Sequence, residues 1–199
     1  MLNKIKYYKV KLLGAALALT LGSQVSLANL EEDSNQKGMD ISLKTKTVDQ
    51  GWQDFTADML MVLRNSQGQE SMREIKMKSL EQLDDGDKSL TIFNKPRDVK
   101  GTAFLSFSHP VEADDQWLFL PALKRVKRIA SSNKAGPFMG SEFSYEDIAS
   151  QEVEKYTYNY LRDEEFNGFD CFVIEYDPVD PKSGYKRQIV WMDKAEYRV

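Results

Sequence analysis

Apolar residues recur at alternate positions over short runs from residue 54 onward. Every second residue from Phe55 to Leu63 is apolar, while Thr56, Asp58 and Arg64 occupy the positions between or beside them. A β-strand places alternate residues on one face, so this spacing predicts a strand with one apolar face. Residues 66–69 form a predicted turn and residues 71–83 the return strand of a hairpin.

The same pattern continues to the end of the chain, with turn-forming residues at intervals of about ten. Asp and Gly at 84–87 favour turns, and Pro96 ends a strand because proline cannot donate to a ladder. Further strands are predicted at 89–94, 101–108, 116–120, 125–129, 154–162, 169–176 and 186–192. A short capped helix is predicted at 141–148, and residues 29–50 as a loose segment or the start of a short helix. The pattern indicates an antiparallel meander.

The N-terminus has the order of a secretory signal. Four lysines precede residue 12, residues 12–21 are almost all apolar, and Ser26 and Ala28 are the small residues a signal peptidase reads. The apolar run is shorter than the roughly 20 residues of a membrane span. We therefore predict a cleaved signal peptide at 1–28 and one secreted domain at 29–199, with Asn29, rather than a lipid-accepting cysteine, at the new terminus.

The net charge and the cysteine content limit the kinds of function and of covalent stabilisation that this domain can have. Residues 1–28 hold four lysines and no acid, so their removal changes the net charge from −4 to −8. An acidic domain is unsuited to bulk nucleic-acid binding, which depends on attraction to phosphates. Cys171 is the single cysteine, so no internal disulfide forms, and its apolar surroundings predict a small buried residue. Residues 197–199 look like the middle of a strand pairing with 188–193, from which we expect a domain truncated at its C-terminus.

Two stretches resemble a known family. Residues 115–129 read DQWLFLPALKRVKRI, and residues 136–148 read GPFMGSEFSYEDI. Together they resemble the outer membrane lipoprotein-sorting protein family, a branch of the LolA-like superfamily of periplasmic carriers. Lys127 stands where arginine is common in that pattern, and Glu142 where aspartate is common; neither difference changes the charge.

The resemblance implies a fold and a cargo. The expected fold is α+β but mainly β: a strongly curved antiparallel sheet, or half-barrel, whose apolar concave face is covered by short helices. The expected cargo is lipoprotein acyl chains or lipids, with transient contact to an inner-membrane transporter.

An acyl-chain carrier needs an apolar lining, since each buried CH2 contributes about 0.8 kcal/mol. Methionine suits a lining because its flexible thioether adapts to varied chains. Plain core packing would produce the same alternation, and the pattern leaves both readings open. The candidate lining residues are Phe55, Met59, Met61, Leu63, Ile75, Met77, Phe104, Trp117, Phe119 and Phe138.

A basic run interrupts this acidic domain at Lys124, Arg125, Lys127 and Arg128. A strand at 125–129 would place Lys124, Val126 and Arg128 on one face. One row could bind phosphate headgroups, an acidic partner, or the acids at 142, 146 and 147. Equally, the charges could protect a solvated edge strand against aggregation.

No pattern of catalytic residues is present. His109 is the single histidine and has no serine, cysteine or acid at a recognisable catalytic spacing. One histidine and one cysteine do not make a tetrahedral metal site, and no glycine-rich phosphate loop occurs. We therefore expect neither enzymatic activity nor a metal or other cofactor.

Three functions remain open at this stage. The first is a periplasmic carrier of lipoproteins or lipids. The second is an adaptor that docks on an inner-membrane lipid transporter through the basic strand and carries no cargo. A hydrolase using His109 is the least supported.

Overall fold

The computed structural model describes the backbone of residues 14–199 and the side chains of residues 30–199. One long helix, α1 (Gly14–Val48), precedes nine strands. The strands are β1 (Asp54–Arg64), β2 (Glu70–Leu80), β3 (Lys88–Lys95), β4 (Ala103–Phe107), β5 (Asp115–Leu120), β6 (Arg125–Ile129), β7 (Tyr156–Phe166), β8 (Phe169–Pro178) and β9 (Gln188–Asp193). The predicted strands are confirmed, with ends that differ by a few residues.

The strands form two antiparallel sheets in sequence order. β1 to β6 make a six-stranded sheet, and β7 to β9 make a three-stranded sheet. The predicted first hairpin is confirmed, with Asp54 opposite Leu80 and Arg64 opposite Glu70. Asn167 and Gly168 both have positive φ, as a tight two-residue hairpin turn requires. The meander prediction is therefore correct, while the division into two sheets was not predicted.

Two separate hydrophobic clusters stabilise the sheets. The first lies on one face of the six-stranded sheet and is centred on Phe93, Phe104 and Phe138. The second lies between α1 and the three-stranded sheet, where Ile41 packs with Tyr158 and Tyr176. Cys171 is buried, as predicted.

The prediction of a loose segment or short helix at 29–50 was wrong, because α1 runs through Val48 as a continuous helix. Its buried positions at Gly38, Ile41 and Ser42 recur at helical spacing. A β-carbon on Gly38 would lie only 3.0 Å from the Tyr160 backbone nitrogen, so the helix packs directly against β7. Apart from Ile41, these buried positions are small or polar, so a hydrophobic pattern does not reveal the stripe.

The predicted helix at 141–148 is also corrected. The structure has a single 3-10 turn there, Glu146–Ile148. The Asp147 carboxylate accepts hydrogen bonds from the Ser144 N–H at 2.6 Å and the Ser144 hydroxyl at 2.8 Å. This local side-chain bonding stabilises a turn in place of a longer helix.

The sequence predicts a signal peptide at the N-terminus and the middle of a strand at residues 197–199. Residues 1–13 of the predicted signal peptide lie outside the described residues. Within residues 14–199, no helix is both long enough and apolar enough to span a bilayer. After β9 the chain turns, and the Asp193 N–H donates to the Arg198 carbonyl at 2.8 Å without forming a further strand.

Candidate functional site

Most of the predicted lining residues meet on one face of the six-stranded sheet, which we call the cluster face. Met61, Ile75, Phe104 and Phe138 are buried in the first hydrophobic cluster. The half-buried side chains of Met59, Leu63 and Met77 pack against it. The strand register accounts for this, since Met59 lies opposite Ile75 and Ile75 opposite Phe93.

Three predicted lining residues lie elsewhere. The side chains of Trp117 and Phe119 point away from the cluster face, because Leu118, between them, is buried in the cluster. Trp117 packs edge-on against Phe107, with ring centroids 5.3 Å apart. Phe55 is 45% exposed and contacts Trp52 instead. The grouping of these three with the cluster was wrong, and in Trp117 and Phe119 the error is one residue of strand register.

Sequence reasoning missed several members of the cluster. Phe93, Leu118 and Ile129 are buried in it, and Tyr145 packs against it. The sequence does carry a signal for Leu118. In a strand, Gln116 and Leu118 share the face opposite to that of Trp117 and Phe119, so Leu118 is the hydrophobic candidate on that second face. Tyr145 carried no such signal, since it reaches the cluster through a loop.

That loop, residues 136–145, covers the cluster face; we call it the cover loop. The Phe138 ring lies 5.3 Å from that of Phe104 and 5.5 Å from that of Tyr145, both edge-on. The loop bonds mainly to itself: the Phe138 N–H donates to the Phe143 carbonyl at 2.6 Å, and the Tyr145 N–H to the Gly136 carbonyl at 3.2 Å. It is an internally bonded unit that packs two aromatic rings, those of Phe138 and Tyr145, onto the cluster.

Among the side chains of residues 30–199, one polar contact joins the cover loop to the sheet. The Arg73 guanidinium, on β2, donates to the Met139 carbonyl. The same guanidinium lies 5.9 Å from the centre of the Phe93 ring, within the range of a cation–π contact. Arg73 therefore connects the sheet, the cluster and the cover loop.

A cavity of about 280 Å³ lies apart from the cluster face, near the C-terminal end of α1. Its lining includes Tyr156, Tyr158 and Tyr176 from the three-stranded sheet, and Glu152 from the preceding loop. Asp87 lines it from the connection between β2 and β3. A shallower depression of about 320 Å³ lies over β1 to β4 and includes Phe55.

Burial shifts the titration of several groups around the cavity. It raises the pKa of Glu152, and the negative charge of Asp87 raises that pKa further. Burial also raises the pKa of Asp87, and it raises the pKa of Tyr156 to about 12. The tyrosine rings are therefore neutral at physiological pH.

The basic run lies on or beside an edge strand. This is the position expected if its charges protect a solvated sheet edge against aggregation. β6 pairs only with β5 in the six-stranded sheet, and residues 125–128 are exposed. Arg128 forms a salt bridge with Asp115. Lys124 precedes the strand in a left-handed conformation, so it does not share a strand face with Arg128 as expected.

Two of the three acids proposed as partners of the basic run have other contacts. The Glu146 carboxylate accepts a hydrogen bond from the Gly184 N–H at 2.7 Å, and Asp147 bonds Ser144 and Tyr185. Among the described side chains, Lys124, Arg125 and Lys127 form no salt bridge. Three cations of the run thus remain available to another molecule.

His109 interacts with acids but not with a nucleophile. Its Nδ1 lies 3.0 Å from an Asp85 carboxylate oxygen, and its Nε2 lies 3.7 Å from one of Asp115. The hydrogen bond to Asp85 raises the pKa of His109 above its usual range. Residues 30–199 contain no group of three or more His, Cys, Asp or Glu side chains placed to hold a metal ion.

Comparisons with known proteins place these features in a family. A solved structure from Vibrio parahaemolyticus, described as an outer membrane lipoprotein-sorting protein domain, is 60% identical, covers 82% of this chain and 69% of its own, and superposes with a TM-score of 0.80. A DUF1329 family protein from Desulfovibrio piger is 32% identical, with 83% and 70% coverage and a TM-score of 0.77.

A LolA superfamily protein from Nitrosomonas europaea shares the fold, with a TM-score of 0.60 at 19% identity, over 83% of this chain and 68% of its own. A family model described as an uncharacterized protein matches residues 85–199. No curated protein matches the chain. The chain belongs to the outer membrane lipoprotein-sorting protein family.

Proposed function

We propose that this domain is a periplasmic carrier that binds lipoprotein acyl chains or lipids on the cluster face and moves them towards the outer membrane. The observation that carries the proposal is the cover loop. Phe138, a ring from an irregular loop, fills the centre of a face rich in methionine and phenylalanine. A bound acyl chain would take the place of that ring.

The energetics suit such an exchange. An acyl chain of about ten carbons gains up to about 8 kcal/mol from burial, before the cost of ordering it. Because the cover loop is bonded mainly to itself, it can leave the sheet as a unit and lose few backbone hydrogen bonds. Met59, Met61 and Met77 can then adapt to the chain that enters.

In this proposal the six-stranded sheet is the curved wall of a half-barrel, and the cluster face is its concave side. The predicted signal peptide at 1–28 would direct export to the periplasm and would then be cleaved. The relative from Vibrio parahaemolyticus is described as a lipoprotein-sorting protein domain, which supports a sorting function rather than a catalytic one.

Two adjacent residues offer a matched test. Met59 packs on the cluster face, while Leu60 points to the opposite face and is 57% exposed. Met59→Arg should weaken binding of a fluorescent fatty acid by about tenfold or more, since a buried unpaired charge is costly. Leu60→Arg, with the same change in charge, should leave the affinity unchanged. Equal effects of the two substitutions would exclude the cluster face as the binding site.

A second function is favoured by the edge strand. Lys124, Arg125 and Lys127 are exposed at or beside an unpaired sheet edge, where an acidic segment of an inner-membrane lipid transporter could dock. As an adaptor, the domain would carry no cargo. Arg125→Glu combined with Lys127→Glu should then abolish partner capture from envelope extracts. Capture that is unchanged by this double substitution would reject the docking role.

A further inference from the structure

The cavity near the end of α1 has a lining that differs from the cluster face. Three tyrosines and the half-buried Val153 supply apolar walls, and carboxylates line both its floor and its rim. At about 280 Å³ it is slightly smaller than the roughly 300–1,000 Å³ of typical ligand sites. A small molecule or a headgroup fits this volume.

The three tyrosines form a compact group of rings. The Tyr158 and Tyr176 rings meet edge-on with centroids 4.7 Å apart, and the Tyr156 ring lies 5.8 Å from that of Tyr176. Groups of aromatic rings bind ammonium ions because each ring face carries partial negative charge. Burial keeps these phenols neutral, so their ring faces and oxygens are not charged groups.

Glu152 supplies a buried carboxylate beside these rings. The residue is only 8% exposed, and within residues 30–199 no side chain forms a hydrogen bond or salt bridge with its carboxylate. The charges of Lys46 and Lys155 and the Asp87 backbone N–H favour its charged form, but the two lysines form their salt bridges with Glu154 and Asp114. A buried carboxylate without a directly paired cation is costly, and a ligand cation would offset that cost.

The charge balance of the lining favours a cation as well. Lys46 is the one basic residue among the lining side chains, and its Nζ pairs with Glu154 at 2.9 Å. Asp49, Glu81 and Asp84 add acids at the rim. The cavity is therefore negative from floor to rim.

We propose that this cavity binds an organic cation, a quaternary ammonium group held by Tyr156, Tyr158, Tyr176 and the carboxylate of Glu152. The site is separate from the cluster face and does not depend on the acyl-chain proposal. It gives the protein a second ligand site with a different chemistry.

The test uses a pair of probes that differ only in charge. Choline and 3,3-dimethyl-1-butanol have the same shape, but only choline is cationic. The full chain, labelled on its methionine methyl groups, is titrated with each probe while the resonance of Met192, which lines the cavity, is followed by NMR. We expect saturable binding of choline that is at least about tenfold tighter than that of the neutral probe, or about 1.4 kcal/mol.

Variants assign the effect to the cavity. Glu152→Gln should weaken choline binding at least about tenfold, since it removes the buried charge and keeps the shape. Glu142→Gln, an equal charge change at an exposed residue of the cover loop, should have no effect. If Glu152→Gln fails to fold, Tyr156→Leu provides the same test, because it removes a ring and keeps apolar bulk.

Three results would overturn the proposal. They are no saturable shift of Met192, equal affinity for the two probes, or choline binding that neither Glu152→Gln nor Tyr156→Leu weakens. Fatty-acid binding measured on the same protein is independent of all three. Failure of this site and failure of the carrier function are thus distinguishable.

Discussion

The His109 side chain lies between two carboxylates, those of Asp85 and Asp115. Asp85 reaches it from the connection between β2 and β3, where Gly86 lets two backbone segments meet. A β-carbon on Gly86 would lie 2.5 Å from the Ser108 carbonyl carbon, so no larger residue fits there without displacing backbone. Asp115 lies on the other side of the ring and also pairs with Arg128. The histidine thus connects the β2–β3 loop to the start of β5.

The His109–Asp85 pair makes stability depend on pH in a definite direction. The hydrogen bond raises the pKa of His109 in the folded protein, so its contribution is fully present below the unfolded value of about 6.5. That contribution is lost as the pH rises through the folded pKa. NMR titration should give His109 a pKa above 6.5, and Asp85→Asn should lower it. A His109 that titrates at its ordinary value in both proteins would contradict the pairing.

At the scale of elements, α1 illustrates a contact that depends on the absence of a side chain. Gly38 allows the helix backbone to approach β7. The buried Ser42 hydroxyl donates a hydrogen bond to the Gly38 carbonyl at 3.0 Å. Ile41 then reaches the tyrosine cluster. The helix therefore contacts the sheet mainly through small residues and a few apolar ones.

Gly38→Ala should destabilise the protein although alanine favours helices by about 1 kcal/mol. The new β-carbon would lie 3.0–3.1 Å from backbone nitrogens of Tyr160 and Asn159, which cannot move independently of the strand. A net loss of about 1–2 kcal/mol is expected from overpacking. Urea unfolding measures it, with Lys44→Ala on the exposed side of α1 as the control. A Gly38→Ala protein as stable as the original would show that α1 does not pack closely on β7.

The elements also show what a sequence can predict and where it stops. Alternation identified the strands because β-structure repeats locally, and the turn residues located the hairpins. The α1 stripe was missed because Gly38, Ser42 and Thr45 are not hydrophobic. The face of Trp117 and Phe119 could not be predicted from the pattern, because β5 has hydrophobic residues on both faces and only the fold shows that Leu118 meets the cluster. Tyr145 joins the cluster through tertiary contacts that no local pattern encodes.

At the scale of the whole molecule, three regions have different chemistry. The cluster face is apolar at its centre and covered by a loop, the cavity near α1 is aromatic and acidic, and β6 is a basic edge. An acyl chain, an ammonium ion and an acidic partner would each select one of them. The separation means that substitutions in one region should leave binding at the others intact.

Phe138→Ala tests whether the cover loop competes with cargo. Loss of a fully buried phenylalanine should cost about 3–5 kcal/mol of stability. If cargo replaces this ring, the same change should raise the affinity for a fluorescent fatty acid severalfold, because the competing side chain is gone. Unfolding and probe titration on one preparation measure both effects. Reduced stability with unchanged or weaker probe binding would mean that Phe138 is only a core residue.

The most direct test of the carrier function is native mass spectrometry of the full chain purified from an envelope extract, followed by organic extraction of whatever is bound. The account predicts a stoichiometric lipid or acylated peptide, released when the protein unfolds. An empty protein that also fails to bind a fluorescent fatty acid would contradict it.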